Sequence, residues 1–195
     1  MKELDFYSEN FWFSQIDQHG DVDNYGEDYY AYKFFKNVIL NLTDIPNNGH
    51  IVVMGTHNCV SFNLLCEHFG KDRCIGYDIA NPTNHPCVKV KNILEVTDNI
   101  PISFVHNDIG NYGFTPTAKF YAQQWAANNV VEGGYFLGRN NLNRAKLPIE
   151  QYMERLGFLN TNMLALTGVF NLSNIAYREL EGHMISKHVG IRHYV

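Results

Sequence analysis

The run from His50 to Met54 constrains the fold of this chain more than any other segment. It is apolar and β-branched, it ends at Gly55, and a helix-like apolar pattern follows at once. A buried strand that turns on a glycine into a helix leaves backbone N–H groups open at the helix N-terminus. In α/β folds this turn lies at the carboxyl edge of the sheet, where nucleotide-like cofactors bind.

Strands and helices alternate along the chain after this turn. The pattern predicts strands at 51–55, 73–79, 87–91, 102–106 and 135–138, and helices at about 58–69 and 116–129. A short helix is predicted from Ile149 to Leu156, followed by strands at 158–168 and 173–180 with no helix between them. The alternation requires a parallel sheet with crossover helices. The last two predicted strands, which have no helix between them, indicate an antiparallel hairpin.

The N-terminal region differs in composition from the rest. Residues 1–25 are acidic and aromatic, which favours an arm that docks on the protein body, with a lid over a ligand site as the alternative. An amphipathic helix is predicted at about 27–43. We therefore divide the single domain into an arm and helix, 1–44, packed on an α/β core, 45–195.

Polar residues follow three successive strands of the predicted sheet, at Asp78, Asn92 and Asp108. Strand ends on this edge converge beside the Gly55 turn. A carboxylate at Asp78 is placed to accept both hydroxyls of a ribose, at ~1.5–3 kcal/mol for each charged hydrogen bond. Alternatively, Asp78 caps a helix or a turn. For Asn92, a contact with adenine and a purely structural role in a turn both stay open.

This pattern resembles the class I methyltransferases, which bind S-adenosylmethionine, over residues 50 to about 180. In that family a glycine turn ends the first strand, an acidic residue ends the second, and an Asp or Asn follows the third. A Gly-Gly pair opens the fifth strand and an antiparallel hairpin ends the sheet. The corresponding positions here are Gly55, Asp78, Asn92, Gly133-Gly134 and the 158–180 hairpin. The resemblance implies a Rossmann-like three-layer α/β sandwich with a mostly parallel seven-stranded sheet and a C-terminal antiparallel hairpin.

The resemblance also implies the cofactor, S-adenosylmethionine, and the residues that contact it. These are Gly55, Thr56, His57, Asp78, Ile79, Asn92 and Asp108. The family's turn has two or three glycines and an acidic residue two positions before the first, whereas this chain has Gly55 alone and Val53. The amino-acid end of the cofactor would then be held by Thr56, His57 or the aromatic arm.

The acceptor side is similar to that of the small-molecule O-methyltransferases. Asp108 and His106 are the candidates for a base near the methyl group, and Tyr112 could orient the acceptor; a cofactor or turn contact is the alternative for Asp108. Cation-dependent members have carboxylates at the places of His106 and Arg139. Because Arg139 puts a positive charge there, we expect no Mg²⁺ or Ca²⁺ site, with a softer metal at His106 and Asn140 as a minor alternative.

Cysteines and histidines elsewhere give no recognised metal motif. Cys59, Cys66, Cys74 and Cys87 form no C-x-x-C pair; Cys59 and Cys66 are interpreted as small core residues of one helix. His183, His188 and His193 are interpreted as surface residues.

Composition excludes several function classes. The net charge is −5, and residues 1–30 hold eight acidic side chains against one lysine, so no basic face for nucleic acid is evident. No apolar run reaches the ~18 residues that span a membrane, and no signal peptide is evident. The free-cysteine pattern and acidic start suggest a cytoplasmic protein; the aromatic N-terminus leaves a homo-oligomer open.

Three functions are compatible with these features. The first is methyl transfer from S-adenosylmethionine to an unidentified small-molecule acceptor. The second is a non-catalytic S-adenosylmethionine- or nucleoside-binding or scaffold protein that kept the fold, which the degenerate glycine turn favours. The third, a nicotinamide-dependent oxidoreductase, is disfavoured by the missing G-x-G-x-x-G and by the hairpin.

Overall fold

The structure, a computed structural model, describes residues 35, 39–109, 116–139, 153, 155–160 and 183–190. Seven strands in these ranges form one sheet. They are β1 His50–Met54, β2 Cys74–Asp78, β3 Val88–Val90, β4 Ile102–Asn107, β5 Val130–Arg139, β6 Phe158–Asn160 and β7 His183–His188. The helices are α1 Val60–Phe69 and α2 Pro116–Asn129, with 3-10 turns at Ile39–Asn41, Lys71–Arg73 and Ile93–Glu95.

The strand order is β3-β2-β1-β4-β5-β7-β6. Strands β1 to β5 are parallel, and β7 is antiparallel to both β5 and β6. From β1 the chain passes outward to β2 and β3, then returns to the other side of β1 at β4. The mostly parallel seven-stranded sheet with an antiparallel C-terminal end is the fold class that the sequence predicts.

Helices cover both faces of the sheet. On one face α1 packs on β1 through apolar side chains that include Phe62, Leu65, Ile51 and Val53. On the opposite face α2 packs through small residues of 122–127 against Val52 and its neighbours. Side chains alternate between the faces along a strand, so the continuous apolar run of β1 fills both cores.

The start of β5 differs from the prediction. The sequence predicts a strand opening after Gly133-Gly134, but β5 begins at Val130 and contains both glycines. Ile102 pairs with Val130 and Phe104 with Tyr135, so β5 carries three extra residues between these pairs. Gly133 has a φ of +83° in this bulge, a conformation that favours glycine.

The antiparallel C-terminal end of the sheet is present, but β6 pairs with a later segment than the sequence predicts. The predicted strand at 173–180 and most of the one at 158–168 lie outside the described residues. The partner of β6 is β7, which the sequence analysis interpreted as a tail with surface histidines. His188 is half-buried, with its ring stacked on Phe158 at 4.7 Å and its Nδ1 3.0 Å from the carbonyl oxygen of Val130.

Little of the N-terminal region is described. Phe35 is helical and Ile39 begins the 3-10 turn; both are fully buried in the core that contains α1. The arm at 1–25 and most of the predicted helix at 27–43 lie outside the described residues, as does most of the helix predicted at 149–156. Over the described part of the chain, no helix is both long and apolar enough to cross a membrane.

Candidate cofactor site

The carboxyl ends of β2, β1 and β4 lie side by side and are joined by backbone hydrogen bonds. The amide of Gly55 donates to the carbonyl of Tyr77 at 2.8 Å, and the amide of Asp108 donates to the carbonyl of Met54 at 2.9 Å. The strand order reverses between β1 and β4, and ligands of open α/β sheets bind at such switch points. This edge is therefore the first place to search for a site.

Gly55 brings the turn after β1 into direct contact with the turn after β4. Its φ is +87°, and a Cβ at this position would lie 2.6 Å from the carbonyl oxygen of Asp108. That distance is shorter than any ordinary contact, and the neighbouring atom is backbone. Glycine is required here for its φ and for the missing side chain.

The rest of the turn bends without further glycine. His57 and Cys59 have φ values of 43° and 61°, and the amide of Cys59 donates to the carbonyl of Thr56 at 2.7 Å. Left-handed backbone at two non-glycine residues costs about 1–2 kcal/mol each. A specific interaction must therefore hold the turn.

Asp78 provides that interaction. Its Oδ2 accepts hydrogen bonds from the amides of Thr56 at 2.8 Å and His57 at 2.9 Å, and from the Thr56 hydroxyl at 3.4 Å. Its Oδ1 accepts from the amide of Ala80 at 3.2 Å. The carboxylate thus fastens the end of β2 to the turn after β1, with one oxygen directed at each loop.

Apolar side chains lie exposed beside this carboxylate. Ile79 follows Asp78 directly and is 70 % exposed, and Leu94 is 44 % exposed. Asn92 caps the 3-10 turn at Ile93–Glu95 by accepting from the amide of Leu94 at 3.1 Å. The amide of Lys91 donates to the carbonyl of Asp78 at 2.8 Å, so the ends of β2 and β3 are held together. A carboxylate followed directly by an exposed apolar side chain suits a ligand with a sugar and a flat ring.

His106 lies inside the protein rather than at the edge. Its side chain is 1 % exposed, and its ring contacts Phe35 edge-on, with centroids 4.9 Å apart. Asn107, the last residue of β4, is also buried, and Asp108 follows it at the edge as a half-buried residue. Of the two candidate bases, Asp108 lies closer to the turn after β1.

Comparison with solved structures identifies the architecture. No family model and no curated protein matches the chain. A SAM-dependent methyltransferase from Archaeoglobus fulgidus matches with a TM-score of 0.55 and 10 % identity, covering 92 % of this chain and 100 % of that one. The N-methyltransferase NodS from Bradyrhizobium japonicum matches with a TM-score of 0.50 and 12 % identity, covering 85 % and 96 %.

The chain has the class I methyltransferase fold. DesVI from Streptomyces venezuelae matches it less well, with a TM-score of 0.49, 13 % identity and coverage of 65 % of this chain. This chain spans 60 % of the length of DesVI.

All seven residues predicted for cofactor contact lie at the carboxyl edge of β1 to β4. Asp78 is the last residue of β2, and the turns that follow the strands hold the other six: Gly55, Thr56, His57, Ile79, Asn92 and Asp108. His106 belongs to the same edge by its backbone, but its ring faces Phe35. Tyr112, Asn140 and the side chain of Arg139 lie outside the described part. What these residues contact in a complex stays a prediction.

The sequence analysis missed one group of side chains. Cys66 of α1 lies with His85 and Cys87, and the ligand atoms of all three are within 4.8 Å of one another. Cys59, interpreted as a helix residue, instead precedes α1 as its N-cap. The signal in the sequence was the short His85-x-Cys87 spacing, which the search for C-x-x-C pairs did not test.

Proposed function

We propose that this chain binds S-adenosylmethionine at the carboxyl edge of β1, β2 and β4 and transfers its methyl group to a small-molecule acceptor. The observation that carries the proposal is the Asp78 carboxylate, fastened to the Gly55 turn at the point where the strand order reverses. The methyltransferase fold supports it, and the two well-matched solved structures are named as methyltransferases.

The residues at this edge fit the cofactor in three respects. The turn at Gly55 lies directly against the backbone of Asp108, so two of the residues predicted to contact the cofactor meet at this edge. The Asp78 carboxylate is half-buried and accepts hydrogen bonds, as ribose hydroxyls require. Ile79 offers an exposed apolar side chain for a purine. In this proposal Thr56 and His57, with the first turn of α1, hold the amino-acid end.

The chemistry asks little of the protein beyond alignment. When bound, S-adenosylmethionine supplies a methyl group on a sulfonium, and the leaving thioether is neutral. The chain's task is therefore to hold the acceptor in line and keep water out. If the acceptor must lose a proton, Asp108 takes it in this proposal. His106 can take part only if Phe35 moves away from its ring.

A non-catalytic S-adenosylmethionine-binding protein is the second candidate. The burial of His106 favours it, since one of the two predicted bases is closed off from the edge. Incubation with S-adenosylmethionine labelled in the methyl group, across a panel of hydroxyl, amine and carbon acceptors, separates the two. Label transfer that Asp108→Asn slows while leaving cofactor affinity unchanged supports catalysis; binding without transfer to any acceptor supports the second candidate.

Calorimetry on Asp78 variants tests the binding site. Asp78→Ala should weaken S-adenosylmethionine binding by roughly tenfold to a hundredfold, because charged hydrogen bonds contribute ~1.5–3 kcal/mol. Asp72→Ala, which removes an exposed carboxylate just before β2, should leave the affinity unchanged. Circular dichroism confirms that the variants stay folded. A folded Asp78→Ala variant with unchanged affinity would remove Asp78 from the site, and a wild-type protein that does not bind the cofactor would end the proposal.

A further inference from the structure

Three side chains with metal-ligating atoms converge beside the sheet, away from the edge described above. They are Cys66 in the second turn of α1, and His85 and Cys87 in the loop between β2 and β3. Their thiol sulfurs and an imidazole nitrogen lie within 4.8 Å of one another. Cys66 is buried, whereas His85 and Cys87 are half-buried, so the group is open to solvent on one side.

A third thiol borders this group. Cys74, the first residue of β2, is 4 % exposed and neighbours Cys66, whose thiol pKa it raises. The sulfurs of Cys66 and Cys87 lie within 4.8 Å of each other and of a ring nitrogen of His85. Two cysteines from a helix and a loop therefore meet one histidine, with a third cysteine next to Cys66, which is an uncommon arrangement for residues that only fill a core.

The loop fixes the histidine in place. The side chain of Asn81 accepts from the His85 amide at 2.9 Å and donates to the His85 carbonyl at 3.0 Å. The amide of Cys87 donates to Nδ1 of His85 at 3.2 Å, so this ring nitrogen is unprotonated. The ring also contacts Phe62 of α1 edge-on, with centroids 5.0 Å apart. These contacts fix the ring, and the Nδ1 lone pair that accepts from the Cys87 amide is the one that a metal ion would take.

We propose that Cys66, His85 and Cys87 bind a zinc ion as its three protein ligands, with a water from the open side as the fourth; Cys74 lies next to Cys66 but outside the ligand group. Thiolate and imidazole ligands select zinc over Mg²⁺ and Ca²⁺, which prefer oxygen. Tetrahedral ligands about 2.3 Å from zinc lie about 3.8 Å apart, so the three ligand atoms need to approach by at most about 1 Å. The site joins α1 to the loop that begins just after Asp78, and its role is structural.

The charges of the neighbourhood agree with this site. Hydrogen bonding to Cys74 and burial raise the pKa of the Cys66 thiol, so without a metal the thiols are neutral. Burial and the Lys71 charge lower the pKa of His85, which keeps the imidazole neutral. When zinc binds, each ligating thiol loses its proton to solvent and forms a sulfur–zinc bond. Two thiolates and a neutral imidazole would leave the zinc site with no net charge.

Metal content of the purified full chain tests the site. Protein expressed with zinc and purified without chelator should contain about one zinc per chain by mass spectrometry of the metal. Cys66→Ser and Cys87→Ser should each lose most of it, because each removes a ligand. Cys59→Ser is the matched control: Cys59 is also a buried cysteine, adjacent to α1, but is not part of the group, so its variant should keep the zinc.

A cobalt titration keeps the test decisive if a variant does not fold. Wild-type protein stripped of metal and titrated with Co²⁺ alone should show thiolate-to-cobalt charge-transfer absorption that zinc abolishes. Folded wild-type protein with neither zinc nor this absorption would overturn the site, as would a Cys66–Cys87 disulfide in protein freshly purified with reductant. Neither readout depends on S-adenosylmethionine, so the proposed function and this site can fail separately.

Discussion

Gly55 shows at the scale of one residue how the candidate site depends on backbone geometry. Gly55→Ala would place a Cβ 2.6 Å from the carbonyl oxygen of Asp108 and hold a side chain at a φ of +87°. We expect the variant to lose about 2–4 kcal/mol of unfolding free energy, since strained backbone costs about 1–3 kcal/mol and the clash adds to it. Urea denaturation measures the loss.

Gly70→Ala is the matched control. Gly70 has nearly the same φ, +89°, but a Cβ there would meet no atom within 4 Å. Its variant has the backbone strain without the clash, so it should lose about 1–2 kcal/mol. Equal losses at the two positions would show that the contact between the turns after β1 and β4 contributes nothing.

Single residues also show what the sequence could and could not predict about the site. Gly55 and Asp78 were found because a strand pattern fixes where each strand ends, and parallel strands end at one edge. The burial of His106 depends on Phe35, which lies about 70 positions earlier, and no local pattern reports that contact. Cys66 and Cys87 are likewise separated by a whole strand, so their proximity appears only once β2 is paired with β1.

At the scale of elements, one carboxylate connects the segment before β1 to β5 and β7. Asp44 accepts a hydrogen bond from the hydroxyl of buried Tyr135 at 2.8 Å, and Lys187 also donates to it. Tyr135→Phe should lose about 1.5 kcal/mol, since hydrogen bonds to charged groups contribute ~1.5–3 kcal/mol and Asp44 is partly exposed. Urea denaturation of Tyr77→Phe gives the comparison. Its hydroxyl donates to Asp98 over 3.2 Å, so its loss should be smaller; an equal or larger loss would contradict the role given to Asp44.

The same carboxylate predicts a pH dependence. Burial raises the pKa of Asp44, but the hydrogen bonds from Lys187 and Tyr135 and the Lys187 charge outweigh it, so the pKa lies below its ordinary value of 3.8. A carboxylate whose pKa is lower in the folded protein than in the unfolded one stabilises the fold at pH values above its unfolded pKa. That stabilisation is lost as the pH falls through its folded pKa. Asp44→Asn should therefore be less stable than wild type at pH 7, with a difference that shrinks below about pH 4.

Denaturation at several pH values measures this difference, and Asp72→Asn is the control because that carboxylate is exposed. A gap between Asp44→Asn and wild type that stays constant down to about pH 3 would show that the charge of Asp44 is not what stabilises the contact.

Element boundaries were predicted well where periodicity is strong and poorly where the pairing is irregular. The first four strands and both helices begin and end within two residues of their predicted positions. The sequence pattern missed the first five residues of β5, because the bulge in this strand contains Glu132-Gly133-Gly134, which has the composition of a turn. In β7 two of the positions that face the protein are the polar residues Ser186, which is buried, and Lys187, which is half-buried. Met184 and Ile185 are the only apolar residues of the strand, and two adjacent apolar residues do not form the alternating pattern that predicts a strand.

The whole molecule responds to a bound cofactor through its stability. A ligand at 100 times its dissociation constant stabilises the native state by ~2.7 kcal/mol. For a chain of 195 residues this corresponds to a rise in Tm of about 5–10 °C. We expect S-adenosylmethionine and S-adenosylhomocysteine to produce such a rise in a thermal-shift assay, and NAD to produce none.

The comparison of ligands distinguishes functions that the fold alone leaves open, because unrelated activities share one architecture. Asp78→Ala should lose the shift with both adenosyl ligands, whereas Gly70→Ala should keep it, although its starting Tm is lower. A rise with NAD alone would favour an oxidoreductase. A rise with adenosyl ligands that persists in Asp78→Ala would place the ligand elsewhere, since the carboxyl edge without that carboxylate loses both the proposed ribose acceptor and the bonds that hold the Gly55 turn.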